Sequence, residues 1–133
     1  MTVSLSFTSL LVPEPDRSVA FYQELFGLPE VTELASPHFR GLWVGPTVLG
    51  FSGPHAYDLL GLPRPSQGEA GVDSFLTFEA ADRDGVDGFT RRAAELGAVV
   101  VREPGETYYG AWQSVVRDPD GHAFRVNFLP LGS

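Results

Sequence analysis

SLSFTSLLVPEPDRSVAFYQELFGL (residues 4–28) and SFLTFEAADRDGVDGFTRRAAELGAV (residues 74–99) write one plan twice, about 70 residues apart. In the first stretch Leu5, Phe7, Leu10, Leu11 and Val12 read as an apolar strand, and a Pro-rich turn follows. A helix is predicted from about Arg17 to Phe26: Asp16 suits its N-cap, Val19, Tyr22, Leu25 and Phe26 recur at helical spacing, and Gly27 closes it. In the second stretch Phe75, Leu76 and Phe78 form the strand and the acidic turn AADRDG leads into a helix. There Val86, Phe89, Ala93 and Leu96 recur by 3, 4 and 3 before Gly97.

Short strands are predicted after each helix, separated by Gly, Pro and Asp turns. They cover roughly residues 29–34, 39–44 and 47–52 in the first half, and 99–102, 112–117 and 123–128 in the second. The expected fold class is therefore α+β. Two βαβββ modules, residues 1–53 and 74–133, lie within a single domain of 133 residues and are joined by a Gly- and Pro-rich linker over 54–73. That linker is long enough to let the halves pair with those of another chain, so a domain-swapped homodimer is among the expected assemblies.

Composition removes several function classes. Nine Lys+Arg against seventeen Asp+Glu leave a net charge of −8 with no basic patch, which argues against nucleic acid as partner. No apolar run approaches the roughly 20 residues that span a bilayer, and no positive region precedes the first apolar stretch, so no membrane association and a cytoplasmic location are expected. With no cysteine there is no disulfide framework, thiolate metal site or Cys nucleophile. Nor does the chain contain a G-x-S-x-G elbow, a phosphate-binding G-x-x-x-x-G-K-[ST] loop or an H-E-x-x-H pair. Asp82, Asp84 and Asp87 sit at a helix start, where acids interact well with the macrodipole.

DRSVAFYQELFGL (residues 16–28), set after a strand, resembles the first helix of the vicinal oxygen chelate superfamily of glyoxalases, bleomycin-resistance proteins and extradiol dioxygenases. RDPDGHAFRV (residues 117–126) resembles its last hairpin, where an Asp-Pro-x-Gly turn links the final two strands. With the repeated plan, the resemblance covers nearly the whole chain. It implies a curved mixed sheet enclosing a cleft, and a homodimer. Metal-dependent members place His or Gln near the start of each module's first strand and Glu on its last strand. The resemblance puts those positions at Phe7, Phe75 and Arg125, and the strand carrying the remaining position, 47–52, has no Asp or Glu. A divalent ion needs several convergent nitrogen or oxygen donors. Neither a metal nor another cofactor is therefore expected. His38, His55 and His122 read as loop and turn histidines.

Aromatic residues cluster where the resemblance places the cavity: Phe7 and Phe75 on the leading strands, Phe39 and Trp43 in the first half, and Tyr108, Tyr109 and Trp112 around Gly110. Flat rings lining one cleft can sandwich a planar conjugated ligand. The run ETYYG (residues 106–110) resembles the aromatic-Gly loop of bleomycin-resistance proteins, in which the aromatic before the Gly stacks on drug; the matching residue is Tyr109. Glu79, four residues after Phe75, would share its face and could serve as a base or as counter-charge to Arg125. The expected ligand site is thus Phe7, Phe39, Trp43, Phe75, Glu79, Tyr108, Tyr109, Trp112 and Arg125, with no catalytic residue assigned. Two readings remain open at this stage. One is a protein that sequesters an aromatic antibiotic unaltered; the other is an enzyme, either a metal-dependent lyase, thiol transferase or dioxygenase, or a metal-free isomerase using Glu79, Arg125 or Tyr109.

Overall fold

A computed structural model describes residues 2, 4–65 and 74–130. The chain divides into two compact units, Met1–Ala70 and Gly71–Ser133. The part of the expected linker covering 66–73 lies outside the described residues.

The first unit runs β1 (Phe7–Leu11), α1 (Pro15–Phe26), a 3-10 turn (Thr32–Leu34), β2 (Phe39–Val44), β3 (Thr47–Ser52) and α2 (His55–Leu60). Its sheet has the order β1-β3-β2, with β1 parallel to β3 and β2 antiparallel to it. The helix α1 begins one residue earlier than its polar signal, because Pro15 takes the first turn with a fixed φ and no N–H to satisfy. Asp16 is therefore not the cap. Its carboxylate instead accepts from Arg40 Nη1 at 2.8 Å. Gly27 ends the helix at φ 66, a conformation that favours glycine, and its N–H returns to Gln23 O. The apolar stripe Val19, Tyr22 and Leu25 is buried, and Tyr22 stacks on Phe51 with ring centroids 5.3 Å apart.

Two expectations in this unit are corrected. The strand read at 29–34 reduces to a single bridge, Glu30 to Leu42, followed by the 3-10 turn. The early part of the linker holds the short helix α2, closed by Gly61 at φ 69. Gly and Pro punctuation on both sides concealed a helix of 6 residues.

The second unit realises the full βαβββ plan: β4 (Phe75–Glu79), α3 (Arg83–Glu95), β5 (Val99–Glu106), β6 (Trp112–Arg117) and β7 (Ala123–Phe128). Its sheet order is β4-β7-β6-β5, mixed because β4 and β7 run parallel. Asp82 caps α3 by accepting from Gly85 N at 2.7 Å. Val86, Thr90 and Ala93 on α3 are buried, as are Val116, Phe124 and Val126 on the sheet. A Thr90–Ser114 hydroxyl pair at 2.6 Å satisfies both buried polar groups. The Asp-Pro-x-Gly hairpin is held by Asp118 Oδ1, which accepts from Asp120 N and His122 N, with Gly121 at φ 91. The α+β two-module fold read from the sequence is the fold found, and in each unit a helix buries one face of the sheet.

In the first unit Arg40 ties β2 to the chain leaving α1. It forks onto Glu30 through Nε and Nη2 and reaches Asp16 through Nη1. The hydrogen bonds from Arg40 hold the Glu30 carboxyl below its ordinary value, against the opposing effect of burial, and raise the guanidinium in return. The folded carboxyl thus titrates below the unfolded one. The stabilisation is complete above the ordinary glutamate pKa of ~4.3 and is lost as pH falls through the lower folded value. Glu30→Gln is expected to lower Tm at neutral pH and to flatten the acid limb of the Tm–pH curve between about pH 5 and 3. Thermal melts across that range check this, and a variant as acid-sensitive as the parent would contradict it.

Candidate functional site

Strand side chains alternate between faces, so pairing register decides which residues share the uncovered face. In the first unit Phe7 pairs with Val48, Ser9 with Gly50, Phe39 with Ser52, Gly41 with Gly50 and Trp43 with Val48. These residues occupy the face opposite the Tyr22–Phe51 stack. Gly41 and Gly50 lie side by side, and the Phe39 ring fills the space their missing side chains leave. A Cβ on Gly50 would stand 2.6 Å from a Phe39 ring carbon and 2.8 Å from Ser9 Oγ. Phe7 meets Phe39 at 6.2 Å between centroids, while Phe7 and Trp43 remain 45% and 40% exposed. The result is an aromatic platform on which β1, β2 and β3 place no titratable side chain among the described residues.

In the second unit the uncovered face carries Phe75, Thr77 and Glu79 from β4, Ala123, Arg125 and Asn127 from β7, and Gln113, Val115 and Arg117 from β6. Arg125 is the centre of a polar network. Its Nε donates to Thr77 Oγ1 at 3.0 Å, and its Nη1 donates to Tyr109 OH at 3.2 Å and Gln113 Oε1 at 3.3 Å. Its guanidinium lies 5.0 Å from the centroid of the Phe75 ring. Tyr109 in turn donates to Gln113 Oε1 at 3.1 Å. Beside this network a hollow of about 290 Å³ is lined by Phe75, Val101, Val115, Arg117, Ala123, Phe124 and Arg125.

The structure brings some expected site residues together and separates others. Phe7, Phe39 and Trp43 share one open face; Phe75, Glu79 and Arg125 share the other, with Tyr109 reaching it through its hydroxyl. Tyr108 is fully exposed and meets Tyr109 edge to face at 5.1 Å. Trp112 does not join Tyr109 in one cleft. It precedes Gln113 on β6 and so points to the helix side, where its Nε1 donates to Asp87 Oδ1 at 2.9 Å and Arg83 lies over its ring at 4.8 Å. Glu79 is not the counter-charge of Arg125 either. Its two oxygens accept from Asn127 Nδ2 at 2.9 Å and Leu129 N at 2.7 Å. Thr77, Gln113 and Arg117, and the glycines beneath Phe39, were not read from the sequence. Isolated glycines inside strands are the one signal that could have pointed to a close approach there.

The positions at which the resemblance sets metal ligands hold Phe7, Phe75 and Arg125, and β3 presents Val48, Gly50 and Ser52 on its open face. Two phenyl rings and a guanidinium are no donor set for a divalent ion. His38 and His55 stack on each other at 4.4 Å, while His122 sits in the β6–β7 turn of the other unit. Among the described residues no three His, Asp or Glu side chains converge.

The sequence model of the Glyoxalase/Bleomycin resistance protein/Dioxygenase superfamily matches residues 4–126. Among solved structures, a glyoxalase/bleomycin resistance protein/dioxygenase family enzyme from Burkholderia phytofirmans is 33% identical. The match covers 95% of this chain and 98% of that one, with a TM-score of 0.88. A lactoylglutathione lyase from Agrobacterium tumefaciens is 25% identical over 100% of this chain and 98% of its own, with a TM-score of 0.73. A glyoxalase-related enzyme from Fulvimarina pelagi shares the fold at 20% identity and a TM-score of 0.85, covering 98% of this chain and 91% of that one. No protein of curated function matches the chain.

The glycine floor of the first unit makes a stability prediction. Gly50→Ala must displace Phe39 or Ser9 and is expected to cost about 1–3 kcal/mol. Gly88→Ala inside α3, where the nearest atom is a side-chain nitrogen at 4.0 Å, should instead stabilise by about 0.5–1 kcal/mol. Denaturant unfolding of the two variants checks the contrast, and a tolerated Gly50→Ala would mean that Phe39 does not rest on the sheet.

Proposed function

The chain belongs to the glyoxalase/bleomycin resistance protein/dioxygenase superfamily, and from that premise we propose that it is a metal-free binding protein for a planar aromatic natural product. In this reading it sequesters an antibiotic in the cytoplasm without altering it. The observation that carries the reading is the substitution of rings and a guanidinium, at Phe7, Phe75 and Arg125, for the donors a metal would need. A rigid aromatic platform contacts a flat ligand at little cost in side-chain entropy, and each ring pair adds about 0.5–1.5 kcal/mol beyond its buried area. Phe7 and Trp43 on the open face of the first unit, and Phe75 on that of the second, are exposed rings that offer such contact.

Assembly belongs to the same proposal. β1 and β4 are edge strands of their sheets, and each starts with an exposed phenylalanine. Unpaired edges and exposed apolar faces favour closure by a second copy, so the proposed working form is a homodimer. An isomerase reading draws weaker support, because both oxygens of Glu79, the acid on the open face, are engaged by neutral donors.

Purified protein is expected to carry no stoichiometric zinc, nickel, manganese or iron, and chelator should leave its melting temperature unchanged. A planar aromatic antibiotic that binds should be recovered intact by mass spectrometry after prolonged incubation, and the protein should sediment at the mass of two chains. One tightly held divalent ion per chain, or a ligand returned chemically changed, would overturn the binding reading.

A further inference from the structure

All nine cationic side chains of this protein are arginines, and Arg40, Arg117 and Arg125 are the half-buried ones. Arg40 is compensated by two carboxylates, Glu30 and Asp16. Arg117 and Arg125 form no ion pair among the described residues, although acids outnumber cations seventeen to nine in the chain. Among the described residues the hydrogen-bond and ring partners of Arg125 are neutral: Thr77, Tyr109 and Gln113 accept from it, and the Phe75 ring lies beneath it. Those acceptors engage Nε and Nη1, leaving Nη2 without a hydrogen-bond partner among the described residues. Arg117 pairs with Ala123 across β6 and β7, two residues along the strand from Arg125, and both guanidinium-bearing side chains border the hollow of about 290 Å³.

We infer that this hollow is a subsite for an anionic group on an aromatic ligand, a carboxylate, sulfonate or phosphate attached directly to a ring system. A partly desolvated cation without a counter-ion is costly, and an entering oxyanion offsets that cost through charge-assisted hydrogen bonds. Arginine presents a planar fork that suits such an anion, and here neutral acceptors hold one fork in place. Phe75, Val101 and Val115 supply the apolar wall for the ring that carries the anion. The inference rests on the metal-free binding reading and narrows it from aromatic ligands in general to acidic ones.

A matched pair of fluorescent probes tests it. 8-Anilinonaphthalene-1-sulfonate carries a sulfonate on the ring system that N-phenyl-1-naphthylamine presents uncharged. The anion is expected to bind the native protein about tenfold more tightly than the neutral probe, with an advantage that shrinks as ionic strength rises from about 0.01 M to 1 M. Arg125→Gln and Arg117→Gln should each abolish most of that advantage while changing the neutral probe's affinity little. Arg125→Lys, which keeps the charge, should retain part of it, and Arg91→Gln, at an exposed arginine, should retain all of it. Circular dichroism melts of each variant identify any loss of fold. Equal affinity for the two probes, or an anion affinity indifferent to both Gln variants, would overturn the inference while leaving the aromatic-binding reading intact. Failure of the native protein to bind either probe would overturn both.

Discussion

An amphipathic helix can bury only one face of a sheet, and each unit of this protein packs a single long helix on its sheet. The covered faces close around Tyr22, Leu42 and Phe51 in one unit and Val116, Phe124 and Val126 in the other. Alternation then assigns every second strand residue to the face opposite that helix. Function follows from what those residues are. A face left for water would be expected to carry small polar or charged side chains; these carry Phe7, Phe39 and Trp43, and Phe75 beside Arg125.

The two open faces differ in chemistry. One is a floor of Gly41 and Gly50 with the Phe39 ring laid across it, uncharged and shaped by close backbone approach. The other is a polar network around one guanidinium, with tyrosine, threonine and glutamine as its supports. An arginine at the position where metal-dependent relatives are expected to place a carboxylate reverses the sign of the charge there. In the proposed reading, a site that would have gathered a cation is turned toward an anion, and a ligand's oxygens would meet N–H donors there.

Much of the fold was legible because its signals are local. The spacing of Val19, Tyr22 and Leu25, the Asp82 cap and the Asp118–Gly121 turn each depend on residues within a few positions of one another. The misreadings came from competition between local signals. Pro15 displaced Asp16 from the cap, and glycines and prolines on both sides masked α2. The site was harder to read because it depends on strand parity and on which strands are neighbours. Trp112 and Gln113 are adjacent in sequence and opposite in space, so a cluster of aromatics in the chain did not translate into a cluster on one face. Thr77 and Gln113 become partners of Arg125 only through the β4-β7-β6 order.

The protein has two tryptophans, and they report on opposite sides of their sheets: Trp43 stands on an open face, whereas the Trp112 indole is bonded to Asp87 beneath α3. Their two indole N–H cross-peaks in a proton–nitrogen correlation spectrum therefore give the most direct test of where a ligand sits. Titration of chelator-treated protein with a planar aromatic antibiotic is expected to shift the Trp43 peak progressively while the Trp112 peak holds its position. Movement of Trp112 with Trp43 unchanged, or shifts that appear only after a divalent metal is added, would contradict metal-free binding on the open aromatic faces.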